Sequence, residues 1–476
     1  NPRPNQRFAG LTPRSNSLSL LPTTQDACRT CLVSKRWQYL WTSIDNLTFL
    51  SRSLYSENEN FVSFVNYVFS QRASSKIRKF HLRMLDLPSK DLHIRKWLSF
   101  ILENKVEHVV LHSVFRDMYT LPQLFYTCSS LITFDLSNCA FEKGAVISWK
   151  SLKTLKFDTV VLDDETSVKL LSGCPALETM ELTSCYSFRH LEINNSNLKR
   201  LKLEGVLPMN EGGERSFEII APYLQQLEII GGIHDIKCRL VNVSSLVSAP
   251  LNFFIACVSQ LDSTFVYVED DSCHDHHQVF WTLIQDYLQK VSHVMELTIA
   301  TWFAEVLFMP QLDEVLLPEL KCKCLTLKLH ITKYNLYGVA SLLQASPHME
   351  TLNIDMESGN PCFCYRYESS CLRKGDDNDL ESWISNFAFP NVKSVKLVYS
   401  TGMCHEPHDR LFELSEFLLK KAIVLEKFVI IAKRRKCRKC FQNCVSPYSL
   451  QLAANLLGCP RPSTNFMMIF HESDSK

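Results

Sequence analysis

One spacing recurs along the chain: an apolar residue, two variable residues, an apolar residue, one variable residue and a third apolar residue. It runs Leu131-x-x-Phe134-x-Leu136, Leu152-x-x-Leu155-x-Phe157, Leu177-x-x-Met180-x-Leu182, Leu198-x-x-Leu201-x-Leu203 and Leu224-x-x-Leu227-x-Ile229. Successive starts lie 21, 25, 21 and 26 residues apart. A strand plus a return segment of that length cannot bury its own apolar face, so copies must stack side by side to share one core.

Intervals of this size, with this apolar order, mark a leucine-rich repeat. The pattern extends upstream to Ile77-x-x-Phe80-x-Leu82 and Val106-x-x-Val109-x-Leu111. Downstream it returns at Val294-x-x-Leu297-x-Ile299, Cys324-x-x-Leu327-x-Leu329 and Met349-x-x-Leu352-x-Ile354, with weaker copies from Val392 and Leu425. Between Gly231 and His293 no phase stands out. The predicted fold is α/β: a leucine-rich-repeat solenoid with a curved parallel sheet, a small helical amino-terminal module and an α/β carboxy-terminal cap. Cys139 and Cys185 fall where the strand end turns inward and are expected to be core thiols. Residues Asp164–Cys174 read as a return helix with Val168, Leu171 and Cys174 on one face, ended by Pro175. Two earlier helices are expected around Phe61, Phe64, Val65, Val68 and Phe69, and around Leu92, Trp97, Leu98, Ile101 and Leu102.

The middle variable position of each strand reads Asp135, Lys156, Glu181, Lys202, Glu228. In-register neighbours sit about 4.8 Å apart, so alternating signs predict a cross-strand ladder. These residues either support one another or form a face for a protein substrate.

Composition narrows the function. Thirteen glycines in 476 residues include no GxG, no Gly-Lys and no GxSxG. Dinucleotide fingerprints, phosphate-cradling loops and nucleophile elbows all need such glycines, so those enzyme classes are excluded. No motif links a nucleophile to a base, and no cofactor or metal is expected. With 51 basic against 50 acidic side chains, nucleic-acid binding is not expected. No apolar run approaches the roughly 18 residues of a membrane span, and no signal peptide opens the chain. Nineteen cysteines scattered among Leu-rich segments read as reduced thiols, which places the protein in cytosol or nucleus. The first residue is Asn1 rather than Met, which predicts a missing start.

Several clusters admit two readings. Lys433–Cys440 is either a nuclear-import or nucleic-acid patch or a solvated loop. Cys437-x-x-Cys440 with Cys444, completed by Cys459 or a histidine, has zinc spacing in its first pair, but no second C-x-x-C pair lies near it; Cys362, Cys364 and Cys371 are a weaker group. Glu269-Asp270-Asp271 followed by Cys273-His274-Asp275-His276-His277 reads as a solvated acidic loop rather than a metal site. Thr24 is expected to cap a short helix carrying Ala27, Cys28, Cys31 and Leu32, and Ser34 a second one bearing Trp37, Leu40 and Trp41.

That amino-terminal string carries a resemblance. Leu21-Pro22-Thr23, Asp26-Ala27, Arg29-Thr30, Leu32-Val33-Ser34-Lys35-Arg36-Trp37 and Leu40-Trp41 look like the second half of a plant F-box. With Leu170–Pro175 before Leu177-Glu178, Ala221-Pro222 before Leu224, and the tail Val424–Lys427, Ala432-Lys433 and Ser463–Phe470, the chain resembles plant F-box/LRR proteins with an FBD-like carboxy-terminal region. The resemblance implies a subunit with no catalytic residue of its own. Its F-box would dock on a Skp-type adaptor, and through it on a cullin ubiquitin ligase, using Leu21, Pro22, Trp37 and Leu40, while the repeats capture a protein. The family's opening F-box helix has no counterpart in Asn1–Ser17, so the alternative is a repeat scaffold or decoy that does not engage the adaptor. The implied division is a tail at 1–17, a partial F-box at 18–55, a helical linker with the first repeat at 56–104, repeats at 105–389 and the FBD-like region at 390–476.

Overall fold

The computed structural model describes residues 23–32, 39–51, 58–72, 76–84, 90–113, 118–187, 190–205, 216–234, 237–256, 272–307, 317–329, 335–356, 389–400, 409–434, 447–460 and 465–474. The chain divides into two compact units between Tyr223 and Leu224.

The first unit holds strands β1 (Asn46–Leu50), β2 (Lys79–Met84), β3 (His108–Ser113), β4 (Tyr119–Thr120), β5 (Thr133–Ser137), β6 (Cys139–Ala140), β7 (Thr154–Asp158), β8 (Thr179–Thr183), β9 (His190–Glu192), β10 (Arg200–Glu204) and β11 (Ser216–Ile220). Strands β1, β2, β3, β5, β7, β8 and β10 follow one another in a parallel sheet. The pairing puts Phe80, Val109, Phe134, Leu155, Met180 and Leu201 in one row and Leu82, Leu111, Leu136, Phe157, Leu182 and Leu203 in the next. All twelve are buried. One face of each strand therefore meets the core and the alternate residues face outward, unlike a parallel sheet covered on both sides.

The backbone repeats as strictly as the side chains. The carbonyl before each strand accepts two amides of the next: Glu107 and His108 donate to Arg78 at 3.1 and 2.9 Å, and Glu178 and Thr179 to Lys153 at 2.9 and 3.0 Å. At the other end Asn138, Thr159, Ser184 and Gly205 are left-handed, with φ of 55°, 55°, 49° and 57°. The Asn138, Thr159 and Ser184 amides still donate to the following strand's last carbonyl, at 2.8, 2.9 and 2.7 Å. The turn then sends Cys139, Val160 and Cys185 into the core. A narrow second ladder joins β4 to β6 and continues through Ala140, Val161 and Tyr186.

The returns are partly helical. In Asp164–Gly173 the Asp163 carboxylate accepts the Thr166 amide at 2.6 Å. Ser167, Leu170, Leu171 and Cys174 face inward and Val168 is 58% exposed, correcting the expected face. The buried set has i, i+3, i+4, i+7 spacing, and Val168 lies about 100° round the helix from Ser167. A Cβ on Gly173 would stand 2.2 Å from the Ile147 carbonyl oxygen, so this approach requires glycine. Helix Asn58–Ser70 packs Phe69 against Phe100 of helix Lys90–Glu103, ring centroids 3.8 Å apart, and Trp97 donates to Asn66 at 3.1 Å. Leu92 is 70% exposed and Ile94 takes the core place expected of it.

At the amino-terminal end Thr23, not Thr24, caps the helix Thr24–Arg29, accepting the Asp26 amide at 3.1 Å. Thr24 is buried and accepts the Thr48 amide at 2.7 Å, which ties the helix to β1. Trp41 is buried as expected, whereas Leu32 points to solvent.

The second unit holds β12 (Gln226–His234), β13 (Lys237–Asn242), β14 (Ser248–Ala256), β15 (Glu296–Ala300), β16 (Cys324–Lys328), β17 (Thr351–Asp355), β18 (Ser394–Ser400), β19 (Lys427–Arg434) and β20 (Met467–Asp474). All but β13 form a parallel sheet in chain order. Ala249, Leu297, Leu325, Leu352, Val395, Phe428 and Met468 share one row. The repeat expected to start at Cys324 therefore starts two residues earlier, as Cys322-x-x-Leu325-x-Leu327. Leu325, Leu327 and Leu329 are all buried, so the alternation reads equally well in two phases and only the pairing selects one. The unphased stretch contains a repeat, Leu246-x-x-Ala249-x-Leu251, masked in the sequence by a small residue and by Pro250. It also contains the helix Ser272–Lys290, so Cys273–His277 are helical rather than a loop, while Glu269-Asp270-Asp271 lie outside the described residues. Helices Asp409–Lys421 and Pro447–Leu457 precede β19 and β20. Among the described residues no helix is long and apolar enough to cross a membrane.

Candidate functional site

Each main-sheet strand of the first unit presents three outward residues. The middle row pairs Asp135 with Lys156, Lys156 with Glu181 and Glu181 with Lys202, the register the sequence implies. One of these contacts closes as an ion pair, Lys156 Nζ to Glu181 Oε2 at 2.8 Å. Asp135 instead meets His112 Nε2 at 3.0 Å, and Lys202 meets Glu204 on its own strand at 2.8 Å. A short carboxylate reaches a diagonal ring more readily than a long ammonium opposite, and a lysine spans two residues along a strand. Glu228 lies on β12, in the second unit. The role of these five residues in holding a substrate is taken up below.

Upstream on the same face, β2 carries Lys79, His81 and Arg83, and β3 carries His108 and His112. The His81 and His112 rings meet edge to face with centroids 5.6 Å apart. His81 Nε2 is shut from solvent with no hydrogen-bond partner among the described residues. Burial, then His112 and Lys79, push the His81 pKa down to about 4 against the opposing pull of Asp135. Sequence reasoning missed this group, although the repeat at Ile77 already places all three β2 residues outward.

Other carboxylates are spoken for. Lys153 meets Glu178 at 2.9 Å, and His190 lies 3.6 and 3.7 Å from Asp164 and Glu218. In the second unit Glu350 stands between Lys323 and Lys393, at 3.6 and 3.2 Å, and the bond from Lys393 holds its carboxyl below the ordinary range.

The thiols are structural in place. Burial pushes Cys139, Cys174, Cys185 and Cys238 up to about 12, so they are neutral and poor ligands at neutral pH. All ten described cysteines are free, and no cluster of three or more metal-ligating side chains occurs among the described residues. The sequence candidates Cys362, Cys364, Cys371, Cys437, Cys440 and Cys444 lie outside the described residues, as does most of the basic run; its Lys433 and Arg434 end β19. Of the expected adaptor contacts, Leu21, Pro22 and Trp37 also lie outside. Leu40 opens the helical turn Leu40–Ser43, and its side chain is not among those described.

Stacked parallel strands, one apolar face per strand and a repeating turn define a leucine-rich-repeat protein. The chain belongs to the leucine-rich-repeat domain family At1g61320/AtMIF1, which matches residues 68–455. Its relatives are plant F-box/LRR-repeat proteins. The Arabidopsis thaliana F-box/LRR-repeat protein At5g02910 is 29% identical over 421 residues, 87% of this chain and 85% of that protein. F-box/LRR-repeat protein At3g03360 of the same plant is 28% identical over 349 residues, 71% and 67% of the two chains. F-box/LRR-repeat protein 25 is 30% identical over 160 residues, 33% and 58%.

Proposed function

We propose that this protein is the substrate-recruiting subunit of a Skp–cullin–F-box type ubiquitin ligase, acting in the cytosol or nucleus. The observation that carries the reading is the outward sheet face of the first unit. It is polar and half-buried to exposed along strands whose other face is core, which leaves it open to a protein partner. The F-box/LRR names of the relatives point the same way. In this reading residues 18–55 tether the chain to the adaptor, through Leu21, Pro22, Trp37 and Leu40. Residues 105–389 hold the substrate, with Asp135, Lys156, Glu181, Lys202 and Glu228 on the capture face, and the FBD-like residues 390–476 cap the array. The chain catalyses nothing itself; it raises the effective concentration of a substrate lysine beside a loaded conjugating enzyme.

The second reading is a repeat scaffold or decoy that binds a partner without engaging the adaptor. An adaptor pull-down decides between them, comparing this chain with one given a complete first F-box helix. Capture of adaptor and cullin by the unaltered chain supports the ligase subunit. Capture by the restored chain alone supports the scaffold.

A further inference from the structure

The outward face of the first unit is not uniform in charge. Lys153, Lys156 and Lys202 each hold a carboxylate. Lys79 and Arg83 are exposed and, among the described residues, have no ion-pair partner. They flank His81 at two-residue intervals of about 7 Å on one strand, and β3 sets His108 and His112 alongside. The carboxylates nearby are already held, Asp135 by His112, Glu107 by Lys76 and Arg78, and Asp45 by Arg78. Uncompensated positive charge therefore sits on a rigid sheet, where a ligand need not order the site it enters.

We propose that the β2–β3 face, formed by Lys79, His81, Arg83, His108 and His112, is a docking site for an acidic segment of a protein partner. The proposal deepens the substrate-recruiting reading and rests on it for the partner being a protein. The rest of the face supports a peptide over a polyanion. About three strand spacings away, roughly 14 Å, Asp158 presents a carboxylate bonded to the Ser137 and Thr159 hydroxyls at 3.4 and 3.0 Å, with no cation among the described residues. Glu181 and Glu204 lie on the strands beyond it. A nucleic acid would carry negative charge onto Asp158, whereas Glu181 and Glu204 are already paired with Lys156 and Lys202. A mixed-charge segment, acidic over β2–β3 and basic some four residues later, matches both ends.

The test is fluorescence anisotropy with the full chain at about 50 mM salt, where the Debye length leaves surface charge effective. The probe is a labelled 12-residue peptide with four glutamates in its first half and two lysines in its second. Saturable binding is expected, weakened about tenfold by Lys79→Glu with Arg83→Glu and about threefold by Asp158→Lys. Lys79→Gln with Arg83→Gln keeps most of each side-chain stem and is expected to cost about threefold, which preserves the test should charge reversal disturb folding. The proposal is overturned if the peptide fails to bind, if the neutral and reversed pairs bind it as tightly as the unaltered chain, or if a 12-nucleotide oligothymidylate binds more tightly than the peptide. The substituted strands lie outside Leu21–Leu40, so the pull-down reads adaptor capture separately and either conclusion survives the loss of the other.

Discussion

The two units are built on the same kind of core and differ at their surfaces. In the first, the outward middle row runs His81, Val110, Asp135, Lys156, Glu181, Lys202. In the second, the corresponding row from β15 to β17 is Thr298, Thr326, Asn353, with Asn353 donating to Thr326 at 3.3 Å. The inner rows are apolar throughout, and the carbonyl before the strand takes two amides in both units, as Lys323 does from Glu350 and Thr351. Stacking therefore depends on the inner rows and the backbone ladder, and the outer rows are free to carry chemistry. Within the middle row charge is denser in the unit to which we assign acidic-peptide capture, with Glu228 and Lys396 its carriers in the second.

The turns differ as well. In the first unit β5, β7, β8 and β10 are followed by left-handed residues, whereas β16 and β17 continue through Leu329 and Met356, whose amides make the same onward bond at 2.9 and 2.8 Å without a positive φ, as Ser51 after β1 does at 3.1 Å.

The largest effect is expected where the units should agree. Leu155→Ala and Leu352→Ala, both in fully buried inner rows, should each cost about 2–5 kcal/mol in denaturant unfolding. A loss confined to one of them would break the comparison of the two cores. Next come the turns. Thr159→Gly should stabilise by about 0.5–1 kcal/mol, because a β-branched residue is strained at positive φ, and Gly205→Thr should cost about 1–2 kcal/mol. A Cβ on Gly205 would have only the Ser184 hydroxyl within 4 Å, at 3.6 Å, so the second change isolates the backbone term. Met356→Gly should go the other way and destabilise, since no left-handed residue is needed there.

The smallest effect is proton-linked. Lys79 and Arg83 on its own strand, His112 on β3 and Asp135 on β5 act on His81, whose folded pKa lies below the free value near 6.5. The unfolded chain then binds more protons between about pH 6.5 and 4, so stability is full above that window and falls as pH drops through it. Discounted for the half-exposed ring, the loss is about 1 kcal/mol or less. His81→Thr, which copies the second unit's middle row, should flatten the slope in urea unfolding measured at pH 7 and pH 5. An unchanged slope would detach acid sensitivity from His81.

Much of this architecture is legible in the residues. The LxxLxL spacing identifies every main-sheet strand from β2 to β10, and the i, i+2 rule turns each motif into an outward row. Legibility ends where two phases bury equal apolar area, as at Cys322 and Cys324, or where a small residue replaces a large one, as at Ala249. Val168 and Leu92 fail for a related reason: an apolar residue on a helix satisfies the composition without showing which turn meets the sheet. The alternating charges are readable as a register but not as contacts, because surface side chains choose among partners that differ by well under 1 kcal/mol.

By itself the sequence determines that repeats stack and which residues form the inner rows from β2 to β10. The tertiary structure alone decides that Asp135 turns to His112, that Lys79 and Arg83 stay without ion-pair partners among the described residues, and that a left-handed turn recurs at four successive strand ends. Burial is a property a residue carries in its own chemistry, and period exposes it. Pairing on a surface depends on which strands become neighbours, and that is settled only when the sheet forms.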